Sequence, residues 1–320
     1  MHSIRKYLSG ILIGAVLSAF LLLANIGLNK GRPIENGRWV SECLIIKDNA
    51  VIKLDPALVI VSGSNSLFGF SAEKLTNTYG IISVNAAIHA GLGIDYTLHY
   101  ARRYLKPGRI IVLPLEYEQY TKPSKGPTFI HQALNYDSSY LDKLSVIEKI
   151  EFIGSIPVQV HMSLIKNFIF PSKQSSKGYD SKTLNKFGDE TKNDWSNDEK
   201  RKVVKLVNRL KRSGDIYKHN DRAWDAIKKF IKDARESNTT VVLAHPNRFN
   251  QSINLTANEE FFRELILRAE KIGINIIGSA EDRLYNSSRI YDTIYHQNSY
   301  GQSISTDILY QQLHRNGVIE

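Results

Sequence analysis

The residues best suited to catalysis lie at two distant places in the chain. An early turn, Ser62-Gly63-Ser64-Asn65-Ser66, follows a short β-rich run, and a late segment carries Asp292 and His296. A serine hydroxyl becomes a nucleophile when a histidine takes its proton and a carboxylate fixes the histidine tautomer. Ser64, His296 and Asp292 supply these groups, with Ser66 as the alternative nucleophile. Each piece alone also has a plain structural reading, since such a turn can simply cap a helix.

These residues need a scaffold that brings distant parts of the chain together, and the apolar pattern predicts one. Continuous apolar runs, typical of strands buried on both faces, occur at Ala57–Ser62, Ile81–Asn85, Arg109–Leu115, Thr240–His245 and Ile274–Gly278. Helical patterns separate them at Ser71–Thr78, Ile94–Leu105, Arg222–Ser237 and Asn258–Lys271. The alternation predicts a three-layer α/β/α fold with a five-stranded parallel sheet over residues 55–320.

An insertion interrupts this alternation at about residues 119–221. Its section Lys173–Asn197 is polar and lysine-rich, which predicts a mobile loop. Basic and apolar residues then alternate at helical spacing between Lys200 and Arg212, which indicates an amphipathic basic helix with a solvated face.

The N-terminal region predicts a membrane anchor. The uncharged run Leu8–Leu28 is long enough to cross a hydrocarbon core of about 30 Å. We expect an uncleaved signal anchor at 8–28, after a cytoplasmic tail at 1–7 and before a stem at 29–54. The rest of the chain is expected outside the cytoplasm, in the periplasm or extracytoplasmic space. A cleaved signal peptide remains the alternative, and the basic flanking residues do not decide the orientation.

Composition limits the class of protein. Its 320 residues, 42% hydrophobic and 23% charged, are ordinary for a globular chain and exclude wholesale disorder. The single cysteine, Cys43, excludes an internal disulfide framework and a cysteine-based zinc site. The net charge of +10 favours anionic surfaces, but no motif points to nucleic acid. We predict no metal site and no cofactor, because no metal-ligand spacing, Walker sequence or dinucleotide fingerprint is found.

The motifs together resemble the SGNH or GDSL-type hydrolase superfamily, and most closely its membrane-anchored branch associated with cell-surface polysaccharide O-acylation. The matching tracts are Ser62-Gly63-Ser64, VNAAIHAGLG, LKPGRIIVLPLEYEQY and DTIYH followed by NSYG. They cover roughly residues 55–118 and 240–310. The resemblance implies an SGNH/flavodoxin-like fold, with Ser64 as nucleophile, His296 as base and Asp292 as its orienting acid.

Oxyanion donors are where the sequence departs from the family pattern. Ala87 stands near the family's donor glycine, and Pro114-Leu115-Glu116-Tyr117 replaces the motif with the donor asparagine. Asn247, after the fourth β-rich run, is a candidate replacement donor. Three residues separate Asp292 from His296 where the family usually has two. Asn65 and Arg248 are candidate substrate-binding residues.

The sequence therefore predicts an SGNH-like serine esterase or O-acyltransferase acting on acyl esters of cell-surface polysaccharide. Its expected partners are the membrane, a polysaccharide or acyl-donor substrate, and a membrane acyltransferase or polysaccharide synthesis complex. The alternative is a catalytically inactive member of the same fold that binds polysaccharide or scaffolds an envelope synthesis complex.

Overall fold

The structure is a computed structural model that describes residues 38–121, 126–170, 179–194 and 216–320, together with isolated positions between 10 and 28. The chain forms two compact units. One comprises Met1–Ser41 and Lys125–Tyr179, and the other comprises Glu42–Ser124 and Asp180–Glu320. We call them the helical unit and the sheet unit.

The sheet unit is built on five parallel strands. The strands of the structure are β1 Leu58–Ile60, β2 Ser83–Asn85, β3 Ile110–Leu113, β4 Thr240–Ala244, β5 Arg248–Phe249, β6 Ile276–Ile277 and β7 Leu284–Tyr285. The main sheet has the order β2-β1-β3-β4-β6, and β5 pairs with β7 in a separate small parallel sheet. Each of the five predicted runs contains one strand of the main sheet, with helices on both sides, so the predicted α/β class is confirmed.

Eleven α-helices are described. They are α1 Arg38–Leu54, α2 Ser64–Gly69, α3 Ala72–Tyr79, α4 Gly93–Ala101, α5 Pro127–His131, α6 Ser139–Asp142, α7 Val146–Gly154, α8 Val158–Ile169, α9 Asp221–Glu236, α10 Glu259–Lys271 and α11 Ser299–Arg315. The shorter turns are a π turn at Gln132–Tyr136 and 3-10 turns at Ala90–Leu92, Arg102–Tyr104, Tyr117–Tyr120, Ser181–Thr183, Asn250–Ser252, Thr256–Asn258, Glu281–Arg283 and Ser287–Arg289.

The strand order fixes where a crevice opens. The chain leaves β1 for β2 on one side and then passes to β3 on the other side. Ligand sites of open α/β sheets form at such a reversal, beyond the carboxyl ends of the strands. The segments after β1 and β3 therefore flank the expected site. Beneath it, Leu58, Ile60 and Val112 of the sheet pack with Leu309 and Leu313 of α11 in one buried apolar cluster.

Two structured regions differ from what the sequence predicted. The predicted stem is helical from Arg38 to Leu54, and its Cys43 and Lys47 are buried. Part of the predicted mobile loop, residues 179–194, is held in place by Asp189. That buried carboxylate accepts hydrogen bonds from Ser71 Oγ and from the backbone N–H groups of Ala72 and Glu73 at the start of α3. The loop prediction missed this anchor because its burial depends on a partner far away in sequence.

Other predictions lie outside the described residues. These are the basic helix between Lys200 and Arg212 and most of the predicted anchor at Leu8–Leu28. Within the described ranges we find no helix with the length and apolar character needed to cross a bilayer.

Candidate active site

The nucleophile turn leaves the carboxyl end of β1 and enters α2. Gly63 is the N-cap residue and Ser64 is the first helical residue. Ser64 is the only residue between 61 and 70 that is not buried. Among the described residues, neither its hydroxyl nor its backbone N–H has a hydrogen-bond partner. Ser64 therefore presents an uncommitted hydroxyl and an uncommitted amide at the crevice.

Ser66 and Asn65 face the interior instead, and neither is exposed. Ser62 Oγ donates to Ser66 Oγ at 2.6 Å, and Ser66 Oγ donates to Asn65 Oδ1 at 3.2 Å. The amide of Asn65 donates to Ser62 Oγ and to the carbonyl of Pro114. These bonds tie the turn to the end of β3, so burial favours Ser64 over Ser66 as nucleophile. The predicted contact of Asn65 with substrate stays a prediction.

Glu116, after β3, lies directly against this turn. Its Oε1 accepts the backbone N–H of Asn65 at 3.1 Å, while its Oε2 is buried without a partner among the described residues. A Cβ on Gly63 would come within 2.2 Å of Glu116 Oε1 and 2.7 Å of Ala90 Cα. Only glycine fits there. Burial raises the pKa of Glu116, although the hydrogen bonds from Asn65 lower it in part.

Asp292 and His296, which were predicted to act as an acid–base pair, are in contact. His296 Nδ1 and Asp292 Oδ1 are 2.6 Å apart, and both side chains are largely covered. The loop that carries them is closed by an antiparallel bridge between Ile290 and Gln297 and by the Tyr291 N–H donating to the His296 carbonyl. This closure accommodates the three residues between Asp292 and His296.

Arg248 holds the same loop from behind. The buried Arg248 guanidinium donates to the hydroxyls of Tyr217 and Tyr295, and Tyr295 donates to Glu118 at 2.6 Å. Its other bonds go to the hydroxyl and carbonyl of Ser252. Since Tyr295 immediately precedes His296, Arg248 positions the base loop. Its predicted role in binding substrate stays a prediction.

The acid–base pair lies against α2 through Phe68, on the side of the helix that also carries Ser64. Phe68 lies one helical turn after Ser64, and residues four apart share a helix side. The His296 ring stacks on Phe68, with ring centroids 4.2 Å apart and planes inclined by 18°. His89, next to the Ala90 that touches Gly63, is also near: burial lowers its pKa, and the charge of His296 lowers it further. Residues distant in sequence thus surround the Ser64 turn.

The two predicted auxiliary oxyanion donors are engaged elsewhere. The Ala87 N–H donates to Asn85 Oδ1 at 3.1 Å. The Asn247 amide donates to the carbonyl of Gly69, at the end of α2 away from Ser64, and its Oδ1 is buried without a partner among the described residues. The backbone N–H of Ser64 and the carboxyl group of Glu116 are the polar groups that the geometry places beside the turn. Glu116, Phe68 and His89 were not predicted as site residues.

A separate cavity lies beyond β4 and β6. It has a volume of about 550 Å³ and is lined by His245, Leu255, Thr256, Glu259, Phe262, Arg263, Ile266, Gly278, Ser279, Ala280 and Glu281. Ser64, Asp292 and His296 do not line it, so this cavity does not contain the predicted catalytic residues. In the described part of the chain, no group of three or more His, Cys, Asp or Glu side chains could hold a metal ion.

Comparison of the sequence with models of protein families found no match. Comparison with curated proteins found no matching relative. The resemblance to SGNH-type hydrolases therefore rests on this chain's own motifs.

Proposed function

We propose that this protein is an SGNH-like serine esterase or O-acyltransferase, anchored in the cytoplasmic membrane, which acts outside the cytoplasm on acyl esters of cell-surface polysaccharide. The observation that carries the chemistry is the stacking of His296, paired with Asp292, on the face of α2 that carries Ser64. The strand order β2-β1-β3-β4-β6 also fits the SGNH/flavodoxin-like topology implied by the motifs.

In this reaction the Ser64 hydroxyl oxygen attacks the acyl carbonyl while His296 Nε2 takes its proton. Asp292 accepts the Nδ1–H of His296 and stabilises the imidazolium that forms. The backbone N–H of Ser64 donates to the oxyanion, and the raised pKa of Glu116 disfavours a negative charge beside it. His296 then returns the proton to the leaving alcohol. Water as the second acceptor completes ester hydrolysis, and a sugar hydroxyl completes acyl transfer.

The test of the nucleophile is covalent labelling by a fluorophosphonate probe. Wild-type protein should be labelled, and Ser64→Ala should lose the label. Ser66→Ala is the matched control, because it removes a buried hydroxyl from the same turn. This variant should keep the label. Full labelling of Ser64→Ala would remove Ser64 from this role. Acetyl-ester hydrolysis and transfer assays then separate esterase from transferase activity.

The second candidate is a non-catalytic polysaccharide-binding or scaffold protein of the same fold. It is favoured by the engagement of Ala87 and Asn247 in internal hydrogen bonds and by a carboxyl group at Glu116. A wild-type protein that binds cell-surface polysaccharide but neither reacts with the probe nor cleaves acetyl esters would establish this alternative.

A further inference from the structure

Two helices of the helical unit expose an unusual amount of apolar surface. On α7 and α8 and just beyond, the following large side chains are more than half exposed: Val146 (72%), Ile147 (71%), Ile150 (65%), Val158 (71%), Met162 (59%), Ile169 (59%) and Phe170 (70%). Within α8, Val158, Met162, Ile165 and Ile169 recur at helical spacing and form one stripe. A scatter of single residues would be ordinary, but a continuous stripe indicates an interaction surface.

This stripe is additional to the face that packs on the protein. The same two helices bury Phe152, Val160 and Leu164, and Phe152 contacts Phe129 edge to face at 5.6 Å between centroids. The helices are therefore already seated by one apolar face. The second, outward apolar face is not buried by the fold, so burying it would require another apolar surface.

The balance of charges around this face favours lipid over a charged partner. Between 138 and 170 the acidic residues Asp142, Glu148 and Glu151 are balanced by Lys143, Lys149 and Lys166. The helical unit also includes the N-terminal segment with the apolar run Leu8–Leu28. Five described side chains of that run, Ile13, Phe20, Leu21, Leu23 and Leu28, are more than half exposed. If this run anchors the chain, it places the helical unit next to a bilayer, which is an apolar surface.

We propose that α7 and α8 form a membrane-docking face, lying in the bilayer interface with Val146, Ile150, Val158 and Met162 directed into the lipid. This placement rests on the anchor included in the proposed function and is independent of the catalytic chemistry. Apolar insertion drives the contact, so it forms on zwitterionic lipid and needs no anionic headgroup.

The test uses the full chain reconstituted in phosphatidylcholine nanodiscs, with nitroxide labels on single introduced cysteines. Ile150→Cys and Met162→Cys place labels on the docking face. Gln159→Cys lies on the polar flank of α8, and Lys232→Cys lies on α9 of the sheet unit with its wild-type side chain 76% exposed. The native Cys43 should stay unlabelled, because burial raises its pKa to about 12 and shields its thiol.

Accessibility to oxygen, which concentrates in lipid, is compared with accessibility to a water-soluble nickel chelate. The proposal expects an oxygen-to-nickel ratio several-fold higher at Ile150→Cys and Met162→Cys than at Lys232→Cys, with Gln159→Cys in between. A ratio equal to that of Lys232→Cys would put the face in water and overturn the proposal. Low access to both agents would mean coverage by protein, including a second copy, and would overturn it equally.

Flotation of the same variants reconstituted in phosphatidylcholine vesicles separates the proposed N-terminal anchor from the proposed docking face. If the chain floats but the face is wet or covered, the docking face fails while the anchor stands. If the chain does not float, the anchor and the docking face fail together.

Discussion

At the scale of single residues, the feature that most needs explanation is Glu116. Its carboxyl group caps the start of α2 through the Asn65 N–H and lies against Gly63 without a partner for Oε2 among the described residues. In the proposed reaction, an ionised carboxylate there would oppose the negative charge that develops on the substrate carbonyl oxygen. The raised pKa of Glu116 lessens this conflict, because burial disfavours the ionised form.

Glu116→Gln tests this interpretation. The esterase activity of the wild type should fall on the alkaline side, as pH rises through the raised pKa of Glu116, whereas the variant should keep its activity to higher pH. The free energy of unfolding should follow the same direction. Because the folded-state pKa lies above the unfolded value, the wild type is relatively most stable below the unfolded pKa and loses stability as pH rises through the folded pKa.

Urea titrations and ester hydrolysis across pH measure both effects. Identical pH profiles for the wild type and Glu116→Gln would contradict the role of Glu116. Glu116→Ala is the informative companion, since it leaves the Asn65 N–H without its acceptor and should lower stability at every pH.

Asp292→Asn removes the acceptor of the His296 Nδ1 proton while keeping the side-chain shape. We expect kcat for a small acetyl ester to fall on the order of 10³- to 10⁴-fold with little change in KM. Asp282→Asn, a carboxylate of the sheet unit that bonds Ser279 and Gln312, is the control and should stay near wild-type activity. A loss of kcat below about tenfold in Asp292→Asn would show that His296 does not depend on this carboxylate.

At the scale of elements, the start of α2 is set by a close approach of backbone and side chains. Gly63 has an ordinary negative φ of −81°, so the need for glycine there comes from Glu116 and the Ala90 backbone rather than from backbone strain. The nucleophile turn is thus clamped between the segments that follow β2 and β3.

Gly63→Ala should therefore destabilise the protein by about 1–3 kcal/mol through overpacking and should displace Ser64. Gly154→Ala, at the end of α7 where a Cβ would meet nothing within 4 Å, is the matched control and should be neutral or slightly stabilising. Chemical denaturation and probe labelling measure the two consequences. Equal stability of both variants would mean that the turn relaxes around the added methyl group.

The sequence predicted the elements whose buried residues are apolar. The five strands of the main sheet were predicted because they are continuous apolar runs, and helices α3, α4, α9 and α10 were predicted because their apolar residues recur at helical spacing. Helix α11 was missed because Gly301, Gln302, Ser305 and Thr306 make up much of its buried face. Helix α1 was taken for a polar stem because its interior face includes Lys47.

The candidate site shows the same limit. Ser64, Asp292 and His296 could be selected by residue type and position, and the distances of the acid–base pair fit that selection. The partners of Asn65, Ala87, Asn247 and Arg248 could not be predicted, since hydrogen bonds within the fold depend on tertiary neighbours that one sequence does not display.

At the scale of the whole molecule, Lys47 joins parts of the sheet unit that are far apart in the chain. Its buried ammonium on α1 donates at 2.7 Å to the carbonyl of Asn85 at the end of β2 and to the carbonyl of Gly188. Burial lowers its pKa to about 8. The strand that precedes Ala87 and the segment containing Asp189 are thereby held to the same helix.

The folded-state pKa of Lys47 lies below its usual value of 10.5, so the unfolded chain binds the proton more tightly. The free energy of unfolding should therefore rise between pH 8 and 10.5, with Lys47 contributing about 3 kcal/mol of that rise. Lys47→Met should be less stable at pH 7 and should lack this rise. Lys232→Met, on the exposed face of α9, should behave like the wild type in urea titrations. The same alkaline slope in Lys47→Met would contradict the assignment.

The loop that carries His296 leads directly into the start of α11. Asn298, two residues after His296, caps α11 by accepting the Gly301 N–H and donates to the Ser288 carbonyl. The histidine loop and the start of α11 are therefore tied to each other by the same side chain. A substitution of Asn298 that weakens this cap should therefore also loosen the loop that holds His296 against Phe68.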